Sequence, residues 1–321
     1  MYTMNYCKPV YIEPYDIYDI YHNDNDTMII ITPYTRNPLS ICLLTDKNKL
    51  FDITTCPHKH TLIYSLKMNY MEQLSLCVND CIIETHVNKY PCFKNEIIAS
   101  TIVKDEDEFI LPWIKYHLHI GVSRFIIYDN SSHETLSVLL EDYIAQNCVT
   151  LIRWNYPYYT SIAGISGQTT QQNHSIYAFQ TSDFIGLYDI DEYINLQNTS
   201  TLRDLFQELI VEKNLDTNQM SCFRFLNKFF YNPDNLPTQD SKFLTISNCD
   251  EITTGGHEKC FVLPKQVSTF SVHMVTSGKP MYTIESKNAY FNHYIYLNKI
   301  DRGRNRTSLI DGTIQRNIPD K

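Results

Sequence analysis

The residues best suited to chemistry are Asp189-Ile190-Asp191-Glu192, which directly follow the apolar run Phe184-Ile185-Gly186-Leu187-Tyr188. In extended backbone Asp189 and Asp191 point to the same side. Two hard carboxylates on one side, with positions left over for phosphate oxygens and water, suit Mn²⁺ or Mg²⁺ better than a thiolate site would. A cation held there would neutralise charge appearing on a departing diphosphate. The same tetrapeptide also reads as a solvated acidic loop capping a buried strand, because Asp-x-Asp is short enough to recur by chance.

Those carboxylates need a strand that ends beside them, and the chain from Glu96 onward supplies one. Ile97 to Val103 reads as a strand, Glu106 to Leu118 has helical spacing, and Phe125 to Tyr128 is a second strand. Thr135 to Gln146 is again helical, Val149 to Trp154 strand-like, Gln172 to Gln180 helical, and Phe184 to Tyr188 a fourth strand. This alternation predicts an α/β fold with a largely parallel sheet covered by helices, whose ligands sit beyond the carboxyl ends of the strands. Further on, a helix is expected over Thr201 to Val211 and strands near Met220 to Phe225 and Lys259 to Leu263. Ahead of Glu96, runs such as Met28-Ile29-Ile30-Ile31 between Asn, Asp and Pro clusters read as strands of a small β-rich region. The expected organisation is 1–94 β-rich, 95–302 the α/β domain, and 303–321 a polar, mobile tail.

Composition narrows the function classes. With 321 residues, 43% hydrophobic and 20% charged, the chain has the make-up of an ordinary globular protein able to bury a core. A formal net charge of −9, with 27 basic residues in no long run, argues against wrapping a nucleic-acid backbone. Met1 to Asp19 is interrupted by Lys8, Glu13 and Asp16, so no secretory leader is expected, and no run is long enough for an integral membrane helix. The ten scattered cysteines are then expected to stay reduced, in a cytoplasmic setting. Cys56-Pro57-His58-Lys59-His60, with Cys77 and Cys81, offers soft ligands for a structural zinc, although the spacing fits no zinc module.

Motifs spread from Ser100 onward point further. Val103-Lys104-Asp105-Glu106 is followed by Leu111-Pro112-Trp113-Ile114-Lys115-Tyr116-His117 and Gly121-Val122. Next come Phe125-Ile126-Ile127-Tyr128-Asp129-Asn130-Ser131-Ser132, then Gln168, Asn173 and His174 leading into the acidic tetrapeptide. Glu258-Lys259-Cys260-Phe261-Val262-Leu263-Pro264, Ser271-Val272-His273, Asn292-His293-Tyr294 and Arg302-Gly303 complete the series. Together they resemble the glycosyltransferase family 2-like and family 92 group. Asp105 stands where that group has Asn, Pro112 where it has Glu, His133-Glu134 where it has Asp-Gly, and Leu263 where it has Arg.

The resemblance implies a GT-A type, Rossmann-like mixed sheet flanked by helices. It also implies metal-dependent, inverting transfer of a sugar from a nucleotide-diphosphate donor, a UDP-sugar, to a hydroxyl of a glycan, lipid or protein acceptor. Asp189 and Asp191 would hold Mn²⁺ or Mg²⁺, with His293, and His273 second to it, as the imidazole ligand. Donor contacts are expected from Lys104, Glu106, Asp129, Gln168, Asn173, Lys259 and Arg302. Glu258, beside Gly255-Gly256-His257, is the expected base, with Asp250 or Glu251 as substitutes. Plainer roles stay open: Asp129 as a turn residue, Gln168 and Asn173 as helix-start polar residues, either histidine as a structural one, the cations and Glu258 as surface charges. Two other functions share these residues, a metal-dependent phosphotransferase or nuclease and a catalytically silent carbohydrate-binding or scaffolding protein.

Overall fold

The computed structural model describes residues 6–23, 26–44, 46–55, 60–162, 164–231, 244, 246–252, 256–294 and 309–318. Between Glu96 and Tyr188 strands and helices alternate as the apolar spacing requires. Ile97–Val103, Arg124–Asp129, Val149–Arg153 and Phe184–Leu187 are parallel neighbours within an eight-stranded mixed sheet. Each is buried over nearly its whole length, which is why these strands read as continuous apolar runs rather than alternating ones. Ile97–Val103 lies between Arg124–Asp129 and Phe184–Leu187, so the strand order reverses there. A crevice at the carboxyl ends of the strands follows from that reversal.

Beyond Phe184–Leu187 the sheet turns antiparallel through Lys259–Val262 and Cys222–Phe225. A second sheet of five strands starts with Glu192–Leu196, which pairs with Ala289–Tyr294, and Asn227–Phe230 pairs with the latter. The helix Asp107–His119 ties the two sheets together. It buries Phe109, Ile110, Trp113, Ile114, Tyr116 and His117 at helical spacing. Trp113 Nε1 donates to Glu192 O at 3.2 Å and Tyr116 Oη to Ile194 O at 2.5 Å.

The helix Ser166–Ala178 departs from the usual amphipathic pattern. Its sequence is mostly polar, yet of its thirteen residues only Tyr177 is not buried. Each large polar side chain has a fixed partner: Gln171 donates to Ser100 Oγ, Gln172 to Val272 O, and Thr170 pairs with Thr61. Asn173 donates to Phe270 O and accepts from Phe270 N. Burial of such a helix is tolerable because so many of its polar groups are paired.

The region before Glu96 forms a five-stranded and a four-stranded sheet sharing one core. Thr27–Pro33 explains the Met28 to Ile31 run. Met28 and Ile30 face that core, while Ile29 and Ile31 pack with Ile98, Ile126 and Ile176 of the α/β part. The β-rich region is thus continuous with the larger domain, and its Tyr6–Cys7 strand adds in parallel to Val149–Arg153 at the sheet edge. At the junction the buried Asp19 carboxylate meets His174 Nε2 at 2.9 Å and Tyr90 Oη at 2.5 Å, and accepts from Asn88 Nδ2 at 2.8 Å.

Several expectations shift. Thr135 to Gln146 is two short helices, Leu136–Leu139 and Glu141–Ala145, broken at Leu140. The helix expected from Gln172 starts a turn and a half earlier, its polar first half having hidden it. Of the segment 303–321 read as a mobile tail, residues 309–318 are described and packed: Leu309–Ile310 pairs with Asn248–Cys249 and Ile314 is fully buried. Residues 56–59 of the zinc reading lie outside the described residues. Among the described residues no helix is long and apolar enough to cross a membrane.

Candidate functional site

The strand Phe184–Leu187 ends at the reversal point, and the next residues turn instead of extending. Asp189 N donates to Glu192 Oε2 at 3.0 Å and Glu192 N to Asp189 O at 3.2 Å, closing a turn over Asp189-Ile190-Asp191-Glu192. This corrects the extended backbone expected for the acidic pair. In the turn the two aspartates have different partners. Asp189 Oδ2 meets Lys259 Nζ at 2.6 Å and its Oδ1 accepts from Gln168 Nε2 at 3.0 Å, while Asp191 Oδ2 stands 3.2 Å from His293 Nε2.

Sheet register explains these meetings. Leu187 pairs with Cys260, so Lys259 arrives beside the turn from the antiparallel neighbour. Glu192 pairs with His293 across the second sheet, which sets the imidazole next to Asp191. Tyr294 N donates to Asp191 O at 2.9 Å and fixes that side.

Lys259 is the electrostatic centre. Its side chain is 1% exposed, and besides Asp189 it lies 3.1 Å from Glu192 Oε2. Burial alone would lower its pKa; Asp189 and Glu192 outweigh that and raise it, so the ammonium stays charged. Burial also acts to raise Asp189, but Lys259 outweighs it and holds the carboxylate below its usual range; 37% of this side chain remains open to solvent. Glu192, fully buried, goes the other way: burial, reinforced by the two aspartates, raises it against the pull of Lys259 and His293. Asn227 Nδ2 donates to its Oε1 at 3.2 Å. Burial acts to lower His293, and Asp191 reverses this into a net rise. His293 Nδ1 is 3.2 Å from Glu192 Oε1 without hydrogen-bond alignment.

His273 stands on the third side. Its Nδ1 faces Glu258 O at 3.2 Å, so Nδ1 carries the proton, because a carbonyl can only accept. Burial first, then the Lys259 charge, lowers its pKa to about 4, so the ring is neutral at neutral pH. His257 packs edge-on against both His273 and Phe229, with centroids 5.7 Å and 5.1 Å away. Glu258 is buried and its Oε2 accepts from Gly256 N at 2.9 Å.

The remaining expected residues spread along the strand ends. Asp129 is buried at the end of its strand, paired with Arg153 Nη1 at 2.8 Å and accepting from Ser131 N at 3.0 Å. Lys104 is exposed and Glu106 half-buried at the start of the Asp107–His119 helix. Asp105 adopts φ +55°, a left-handed conformation that Asn and Asp tolerate best, and accepts from Ser132 N at 2.7 Å. The Asn173 amide is used by the main chain of Phe270 and Thr169, a clamp between helix and strand. Arg302 lies outside the described residues.

Glu192, Asn227 and Tyr158 also belong to this cluster. Tyr158 Oη donates to Gln168 Oε1 at 2.8 Å. Glu192 was visible as the last residue of the tetrapeptide; Asn227 and Tyr158 carry no local pattern to mark them. Among the described residues no three His, Cys, Asp or Glu side chains converge to hold a metal by themselves. Asp191 and His293 do set one carboxylate oxygen and one ring nitrogen 3.2 Å apart. Two adjacent ligands of one octahedral ion are about 3 Å from each other, so the pair fits two neighbouring positions.

The chain is similar to a glycosyltransferase family 92 protein of Ricinus communis, 24% identical over 216 residues, 63% of this chain and 35% of that one. A family 92 protein of Oryza sativa subsp. japonica is 23% identical over 207 residues, 63% of this chain and 33% of that one. This chain therefore spans about a third of the length of these relatives. Among solved structures it is similar to HddC from Yersinia pseudotuberculosis, at 13% identity over 61% of this chain and 92% of that one, with a TM-score of 0.36, too low to bear on the fold. The family model for glycosyltransferase family 92 matches residues 99–318, a stretch that holds every site residue described above, and the chain belongs to that family.

Proposed function

We propose that the chain is a GT-A type glycosyltransferase that binds a nucleotide-diphosphate sugar, a UDP-sugar, at the strand reversal and passes the sugar to a hydroxyl acceptor with inversion. The observation that carries the proposal is the turn Asp189–Glu192 at the carboxyl end of the parallel strands, facing Lys259 on one side and His293 on the other. The order of parallel strands followed by antiparallel ones, with an acidic turn at the switch, supports the GT-A reading.

Asp191 and His293 would hold Mn²⁺ or Mg²⁺ in neighbouring positions, leaving the others to diphosphate oxygens and water, which is why fewer than three protein ligands suffice. When bound, the cation supplies charge neutralisation to the leaving diphosphate. Asp189 presents the open part of its carboxylate toward the same donor, held by Lys259 and Gln168. Asp129, at the neighbouring strand end, is the donor-side carboxylate for the nucleoside, its orientation set by Arg153 and Ser131 N. Glu258 remains the proposed base: it is buried in the segment leading to Lys259 and would take the acceptor proton after leaving Gly256 N.

The test is release of uridine diphosphate from a panel of UDP-sugars with mixed glycan acceptors. The proposal expects turnover that needs added Mn²⁺ and falls by at least about a hundredfold in Glu258→Gln, the scale of a lost general base. Turnover indifferent to that substitution removes the base assignment, and no release from any donor removes the reaction.

A further inference from the structure

Trp154, Tyr158 and the first turn of the Ser166–Ala178 helix are locked together. Gly167 N donates to Tyr158 O at 3.1 Å, and Trp154 Nε1 donates to Gly167 O at 3.2 Å. Gly167 has no room for a side chain: a Cβ there would stand 2.7 Å from both Pro157 O and Tyr158 Cα, main-chain atoms that cannot swing aside. From this anchored position the Tyr158 hydroxyl reaches Gln168 Oε1 at 2.8 Å, and Gln168 Nε2 reaches Asp189 Oδ1 at 3.0 Å.

The end of this relay fixes its direction. A carboxylate only accepts, so Gln168 must turn its NH₂ to Asp189 and its carbonyl to Tyr158, whose hydroxyl then has to donate. The two orientations of a glutamine amide have nearly the same shape, and the tyrosine proton favours one of them. Without that hydroxyl the carbonyl of Gln168, a residue only 6% exposed, loses its donor, and the orientation that serves Asp189 is held from one end alone. Asp189 is thus held at both oxygens, Oδ1 by the relay and Oδ2 by Lys259.

The geometry points to Tyr158 as a positioning residue of the donor site, acting through Gln168 to set the Asp189 carboxylate. The inference rests on the function proposed above only for what Asp189 then meets.

Two measurements on the full chain test it. The first is titration with uridine diphosphate and Mn²⁺ of wild type, Tyr158→Phe, Gln168→Met and the double variant. Each single variant is expected to weaken binding about five- to tenfold, the range of one buried hydrogen bond. The double variant should be no weaker than Gln168→Met alone, because the hydroxyl then has nothing to orient. Losses that multiply, or unchanged affinity in Tyr158→Phe, overturn the relay. The second measurement follows hydrogen exchange of the Gln168 side-chain NH₂ by magnetic resonance without nucleotide. Faster exchange in Tyr158→Phe supports the relay whatever the chain binds, and unchanged exchange overturns it. A wild type that binds no nucleoside diphosphate, with Gln168 exchange still responding to Tyr158→Phe, removes the proposed function and keeps the relay.

Discussion

Lys259 brings one positive charge to Asp189 and Glu192, and the two carboxylates do not need it equally. Asp189 is partly open to water, whereas Glu192 is fully buried, and burial lifts its pKa to about 7 even beside Lys259, so without Lys259 it takes up a proton instead of standing as a bare charge. Lys259→Met is therefore expected to destabilise the fold by about 1.5–3 kcal/mol, measured by urea unfolding at about pH 6, chiefly through the hydrogen bond that the Asp189 carboxylate loses. Adding Glu192→Gln should recover little of that loss at this pH; full recovery would mean that Glu192 stays ionised in the core. The sequence made Asp189, Asp191, Lys259 and His293 legible as residue types, and the folded chain brings these four together. It did not reveal that the aspartates part company, because Asp-x-Asp after a strand suggests extension until the Glu192 carboxylate is seen capping Asp189 N. Tyr158 was illegible for a different reason: its role depends on a contact with Gln168 that no spacing rule anticipates.

At the scale of elements, the parallel strands were readable because they are buried on both faces and therefore continuously apolar. The helix Ser166–Ala178 was only half readable, since burial of a polar helix leaves no apolar stripe to follow. The helix Asp107–His119 carries a testable consequence of its own. His117 is fully buried, with Nδ1 on Trp113 O, and burial lowers its pKa to about 3 despite that hydrogen bond. A histidine lowered in the folded state contributes full stability above its unfolded pKa. That contribution declines as pH falls from about 6.5 toward about 3, at up to ~1.4 kcal/mol per pH unit. Urea midpoints at about pH 7.5, 6 and 5 should therefore fall more steeply in wild type than in His117→Leu. Parallel pH profiles would show that His117 is protonated without penalty and contradict its placement in the core.

For the molecule as a whole, the site exists only because distant parts of the chain converge. The acidic turn, Lys259, His293 and Gln168 come from four separate stretches, and the β-rich region before Glu96 covers the far side of the helix that carries Gln168. The sequence suggested a small β-rich region over 1–94, and alternation along Thr27–Pro33 gives one face to each core and joins that region to the α/β part. Family membership spans residues 99–318 and leaves the region before it outside the match. The central claim is that Asp191 and His293 hold a divalent cation against a nucleoside diphosphate in this crevice. It is tested most directly by titrating uridine diphosphate into the full chain with and without Mn²⁺, in wild type and in Asp191→Asn. The account predicts binding that tightens at least about tenfold with Mn²⁺ in wild type, a gain of ~1.4 kcal/mol, and no such gain in Asp191→Asn. An equal Mn²⁺ gain in both proteins, or no binding by folded wild type, would contradict it.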